Sequence, residues 1–151
     1  MLWIIIGLAA IVTDRLSKYY VSQNLRVGQG IPVITDIFHI TYQRNTGAAF
    51  SILEGHTEFL AVFTLIILTA FIIYMFVKKP ESKLLKLSAA LITGGALGNL
   101  IDRIRLGYVI DFLDFCFINF PVFNIADCCV VIGAGLMCIY ILKHTGDDKH
   151  V

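Results

Sequence analysis

The chain has 151 residues, 58% of them hydrophobic and 15% charged, with mean hydropathy +0.81 and a formal net charge of +1. A nucleic-acid binder would need clustered Lys and Arg and a basic balance, which this charge excludes. The composition lies far from the soluble average and predicts one membrane-embedded domain over residues 1–151.

A membrane-crossing helix needs roughly 20 mostly apolar residues. Four segments qualify, at about 2–22, 57–77, 86–106 and 122–142. The first opens Leu2-Trp-Ile-Ile-Ile and carries Asp14, Arg15 and Lys18 in its second half. It lacks a basic n-region, and Thr13-Asp-Arg stands where a signal peptide would have small residues, so it reads as a retained span. Residues 23–56 contain Ile31-Pro-Val-Ile, Phe38-His-Ile-Thr-Tyr and Ala48-Ala-Phe-Ser-Ile, broken by Gly28, Gly30 and Gly47. These β-prone runs predict a small extramembrane sheet resting on the helices. Glu58 through Val77 is the cleanest span.

Lys78, Lys79, Lys83 and Lys86 crowd the connection between the second and third spans, and Lys143 and Lys149 follow the fourth. The positive-inside rule then places that connection and both termini in the cytoplasm, although Arg15, Lys18, Arg26 and Arg44 fall outside. Gly94, Gly98, Gly133 and Gly135 read as close-packing positions more simply than as hinges. Cys116, Cys128, Cys129 and Cys138 form no CxxC pair, and the three in the fourth span are expected to be small buried thiols. His39, His56, His144 and His150 are expected in loops or the tail, without HExxH or other metal-ligand spacing, so no metal is expected.

Asp14, Asp102, Asp111, Asp114 and Asp127 sit in or at the edge of hydrophobic segments. A carboxylate at mid-membrane costs about 2.5–3.5 kcal/mol on insertion scales, which makes each a functional candidate. The third span ends, and the fourth begins, at one membrane face, which brings Asp111 and Asp127 to the same side. Asp14, about 18 Å along the first helix at 1.5 Å per residue, reaches that half too. Asn45 and Gly47 arrive from the long loop. A shallow polar zone suits a catalytic pocket better than a transport path, whose sites lie near the midplane.

Some of these charges have local explanations. Asp14 has Lys18 at i+4 and Asp102 has Arg105 at i+3. Asp114 reads equally well as a solvated rim residue. Asp127 has no basic residue within fifteen positions, and Asp111 has only Arg103 and Arg105 upstream. Two close carboxylates share one proton. One can then activate a water while the protonated other polarises a carbonyl. Spacing alone leaves this dyad and the paired or solvated alternatives open.

Five motifs taken together are specific. Asp14-Arg-Leu-Ser-Lys18, Asn45-Thr-Gly-Ala-Ala-Phe50, Gly95-Ala-Leu-Gly-Asn-Leu-Ile-Asp-Arg103, Gly107-Tyr-Val-Ile-Asp-Phe112 and Phe120-Pro-Val-Phe-Asn-Ile-Ala-Asp127 resemble lipoprotein signal peptidase, or signal peptidase II, across essentially the whole chain. The resemblance implies four transmembrane helices with a small extracytoplasmic β-rich cradle between spans one and two. It implies a bacterial inner-membrane aspartic endopeptidase that cuts prolipoproteins just before their diacylglyceryl-modified cysteine. It further implies Asp111 and Asp127 as the catalytic dyad, and Asn45, Asn99, Arg103 and Asn124 as pocket residues that hold substrate backbone and orient the aspartates. Asp14 and Lys18 would support the site, and Gly47 would allow a close backbone approach. Cys128 stands where serine commonly follows the second aspartate. No cofactor is implied; the expected partners are prolipoprotein substrates, membrane lipids and globomycin-type inhibitors, with no nucleic acid and a monomeric enzyme.

Three other readings stay open. Cys128 or Cys129 would be the nucleophile of a thiol enzyme, though without a histidine in the third or fourth span to serve as base. A small transporter or assembly factor would use the carboxylates to bind protons or ions. An inactive homologue is the third, against which stands the presence of both expected aspartates.

Overall fold

Apolar runs become helices where the sequence predicts them, because a helix satisfies its backbone polar groups internally where lipid cannot. The computed structural model describes residues 2–48, 50 and 52–145. Its helices are α1 (Leu2–Asn24), α2 (Thr57–Lys78), α3 (Lys83–Leu106) and α4 (Ile125–Thr145). By length and composition α2, α3 and α4 can cross a membrane. The 23-residue α1 matches them in length but carries three charges. Its buried stripe is Ala10, Asp14, Lys18 and Val21, while Leu8, Val12 and Leu16 are exposed. Its polar side chains thus face the other elements and its apolar ones face outward.

α3 is the central helix: 39% of its apolar window is buried, against 17% for α2 and 11% for α4. It packs on all three other helices, and glycines permit the approach. A side chain at Gly94 would stand 2.7 Å from the Gly7 carbonyl oxygen, and one at Gly98 2.7 Å from Asp14 Oδ2. One at Gly95 would fall on the Ala126 carbonyl oxygen. Across the same interface Ser88 donates to the Gly133 carbonyl at 2.8 Å. Small-residue packing therefore holds at Gly94, Gly98 and Gly133, but Gly135 is exposed and touches nothing there. We expect Gly95→Ala to cost about 1–3 kcal/mol through overpacking, read from thermal unfolding in detergent. An unchanged midpoint would show that α4 can slide away freely. The expected burial of the α4 thiols fails for the same reason that α4 is peripheral. Cys128 and Cys129 are only half-buried and Cys138 is exposed.

The sheet is antiparallel in the order β1 (Gly30–Ile34), β2 (Phe38–Asn45), β3 (Val109–Phe115). Its first two strands are the first two β-prone runs. The third run, Ala48–Ile52, is no strand among its described residues: Ala48 N–H closes onto the Ile52 carbonyl at 2.7 Å, and Phe50 and Leu53 have φ of 57° and 59°. Ala49 and Ser51, like Lys149 and His150, lie outside the described residues.

The third strand comes instead from the connection between α3 and α4, so the sheet is not confined to the loop after α1. Gly107 ends α3 in the left-handed region, φ 78°, with its N–H on the Arg103 carbonyl at 3.1 Å. That cap reverses the chain. The β-branched and aromatic run that follows then pairs with β2. His39 consequently lies in a strand, opposite Asp114, and not in a loop. Val21 of α1 and Leu25 just beyond it pack with Tyr42, Ile110 and Phe112, which seats the sheet on the end of the first helix.

Candidate active site

The first turn of α4 is built around its own carboxylate. Asn124 Oδ1 accepts the Asp127 N–H at 3.0 Å, and Asp127 Oδ2 accepts the Asn124 N–H at 3.1 Å. This reciprocal pair is a capping box with aspartate at the third helical position. The helix's positive end favours a carboxylate there. Asn99 of α3 completes the set, donating to Asp127 Oδ1 at 2.7 Å.

Asp111 reaches the same place from β3. The residues around Phe123 bond alongside β3, with Phe123 N–H on the Leu113 carbonyl at 3.1 Å, which draws Asn124 back over the strand. Asn124 Nδ2 then donates to Asp111 Oδ1 at 2.6 Å. Asn45, at the end of the neighbouring strand, donates to Asp111 Oδ2 at 3.0 Å. One asparagine thus binds both carboxyl groups, and Asp111 is 2% exposed. Burial, reinforced by repulsion from Asp127, pushes the Asp111 carboxyl up to about 7 against the opposing help of Asn45, Asn124 and Lys18.

Beneath this pair lies a buried ionic cluster. Lys18 Nζ is 2.9 Å from Asp14 Oδ2, from Asp102 Oδ2 and from Asn99 Oδ1. Asp14 Oδ1 accepts the Ala126 N–H at 3.0 Å, tying α1 to the start of α4. Asp102 Oδ2 accepts the Ile110 N–H at 3.3 Å, tying α3 to β3. The predicted Asp14–Lys18 pair is present. The predicted Asp102–Arg105 pair is not: Arg105 is exposed, and Asp102 faces α1, where Lys18 and Arg15 bind it. Asp102 as the shared partner of Lys18 and Arg15 is missed by sequence reasoning because these contacts join helices far apart in the chain. Their signal is the cost of an unpaired buried charge.

Arg103 donates to the Gly47 carbonyl at 2.9 Å, and the Gly47 N–H bonds Asn45 Oδ1 at 2.9 Å. The Arg103 Nε is buried and has no partner among the described residues. Asp114 is half-buried and accepts from Thr41 Oγ1 at 2.7 Å, so it is not the freely solvated rim residue that the sequence allowed. An open cleft of about 380 Å³ runs past Asn45, Phe50, Glu54, Asp111 and Phe120. The rings of Phe50 and Phe120 meet edge-on in it, 6.0 Å apart. Two carboxyl groups held by one asparagine, through its side chain and its backbone, beside a cleft can carry general acid–base chemistry.

Residues 6–143 match the family model described as signal peptidase (SPase) II. A lipoprotein signal peptidase of Halothermothrix orenii is 47% identical over 91% of this chain and 92% of its own length. One of Moorella thermoacetica is 42% identical over 98% and 97%, and one of Desulfitobacterium hafniense is 46% identical over 99% and 97%. A bacterial membrane enzyme solved by the in meso method at 2.3 Å superposes with TM-score 0.91 at 37% identity, covering 99% of this chain and 92% of that one. Similarity of this extent, over the helices, the sheet and the residues that join them, makes the chain a member of the signal peptidase II family.

Proposed function

We propose that this protein is an aspartic endopeptidase that removes the signal peptide from diacylglyceryl-modified prolipoproteins, cutting on the N-terminal side of the lipidated cysteine. The observation that carries this reading is Asn124, which bonds Asp111 through its side chain and Asp127 through its backbone. Asp127, with N–H donors on both oxygens, is the base that takes a proton from water. Asp111 holds the proton that polarises the scissile carbonyl. Asn45, Asn99 and Asn124 orient the two groups. The spare Nε of Arg103 serves substrate backbone beside Gly47. Asp14 and Lys18 hold the helix ends in place. Globomycin-type inhibitors would occupy the same cleft.

The enzyme is proposed to be a monomer, a single membrane domain with four spans, both termini and the Lys78–Lys86 connection on the cytoplasmic side of a bacterial cell membrane. Connectivity puts that lysine-rich connection at the opposite end of the helices from the sheet and the aspartates, which supports a site near the outer face. There a water supply and the lipid-anchored peptide meet.

The test is cleavage of a diacylglyceryl-modified prolipoprotein peptide in proteoliposomes, with products located by mass spectrometry. We expect a single cut before the modified cysteine and none in the unlipidated peptide. Equal cutting of both peptides would overturn the lipid requirement, and no cutting of either would overturn the peptidase reading. The same assay carries a pH expectation. Asp111 keeps its proton up to about pH 7, so the rate should fall as pH rises through that value. A raised carboxyl favours the neutral form in the fold. Its contribution to stability is therefore full below the ordinary value of 3.8 and lost as pH climbs through about 7. A rate that climbs steadily above pH 7 would contradict this assignment and point toward a thiolate.

A further inference from the structure

At the far end of the β2–β3 ladder from Asn45 and Asp111 lie three side chains that the peptidase chemistry does not use. His39 and Asp114 are directly opposed across the strands, and Cys116 follows just beyond β3. One donor atom from each lies within 4.8 Å of the other two. The surroundings hold these donors in place. Thr41 Oγ1 bonds Asp114 Oδ2 at 2.7 Å, an outer hydrogen bond of the kind that orients a ligating carboxylate. Cys116 is anchored by its N–H on the Ile37 carbonyl at 3.0 Å. Gly30, on the adjacent strand, leaves space: a side chain there would stand 2.8 Å from Thr41 Oγ1 and 3.9 Å from His39 Nδ1.

Charge favours a cation. Asp36 adds a second carboxylate near the Cys116 sulfur. No Lys or Arg among the described residues forms an ion pair with Asp36 or Asp114. Imidazole nitrogen, carboxylate oxygen and thiolate sulfur are together the donor set of zinc-class ions, whereas magnesium and calcium take oxygen alone. Three protein donors leave the fourth tetrahedral position to water.

We infer that His39, Asp114 and Cys116 bind a single divalent transition metal of the zinc class. On binding, the Cys116 thiol releases its proton to solvent and the sulfur bonds the ion, with no change of oxidation state. The ion fastens β2 to β3, the two strands that carry Asn45 and Asp111 at their other end. It takes no part in peptide hydrolysis.

The test uses Co²⁺ as a spectroscopic probe on the full chain, purified in detergent without a polyhistidine tag. We expect one Co²⁺ per chain and a thiolate-to-cobalt charge-transfer band. That band should vanish in Cys116→Ser and in His39→Ala, and persist in Cys128→Ala/Cys129→Ala/Cys138→Ala. Thr41→Val should weaken binding about 10–100-fold, the usual effect of losing an outer partner. Cys116→Ser should still cut the lipidated peptide in metal-free buffer, which shows that the chain is folded. A wild type without the band, or a band that survives Cys116→Ser, overturns the assignment.

Discussion

Asp127→Asn and Asp111→Asn are each expected to lower cleavage of a lipidated prolipoprotein peptide by about 10²–10⁴-fold, the usual worth of a positioned acid or base. Geometry says that the loss is chemical and not architectural. At position 127 an asparagine still offers one side-chain oxygen to the Asn124 N–H, so the cap on α4 survives. What disappears is the group that accepts a proton from water. At position 111 the amide keeps an oxygen for Asn124 or Asn45 but cannot lend a proton to the substrate carbonyl. Rates measured beside unfolding midpoints separate the two effects. A variant that keeps more than about a tenth of the wild-type rate would remove its carboxylate from the chemistry.

Lys18→Met carries the largest expected change in stability, a loss of about 3–5 kcal/mol. Lys18, Asp14 and Asp102 are wholly buried, and among the described residues the ammonium is the one cation paired with both carboxylates. Removing it leaves Asp14 with no ion-pair partner among the described residues, and Asp102 with Arg15 alone. Breaking a buried pair strands a charge, whereas neutralising both partners does not. Asp14→Asn combined with Lys18→Met should therefore recover part of the loss. Unfolding in detergent measures both. A change below about 1 kcal/mol for Lys18→Met would mean that the cluster is hydrated and behaves like a surface pair.

What could be read from the chain follows the range of each interaction. Helix positions follow from runs of apolar residues, and the Asp14–Lys18 pair from its i,i+4 spacing, because both are local. The reversal of direction between α3 and α4 brings Asp111 and Asp127 to one end of the molecule, a consequence of chain direction alone. Other features depend on contacts that sequence spacing does not encode. β3 is a strand because Gly107 turns it back onto β2, and a helix-to-helix connection hides that outcome. Asp102 pairs with α1 and not with Arg105 because α3 buries its glycine-lined face against α1. The dual role of Asn124 is half legible: the cap lies within four residues, and the bond to Asp111 requires the fold. His39, Asp114 and Cys116 meet only through strand register.

The most direct test of the central claim is a double-mutant cycle on the single-turnover rate of lipidated-peptide cleavage, using Asp111→Asn, Asp127→Asn and the two combined. Groups that act as one unit lose almost everything with the first member, so the losses do not add. If the aspartates share one proton across Asn124, the double variant should be no slower than the slower single variant. Losses that multiply, or a single variant at the wild-type rate, would show that the two carboxylates do not work as a pair.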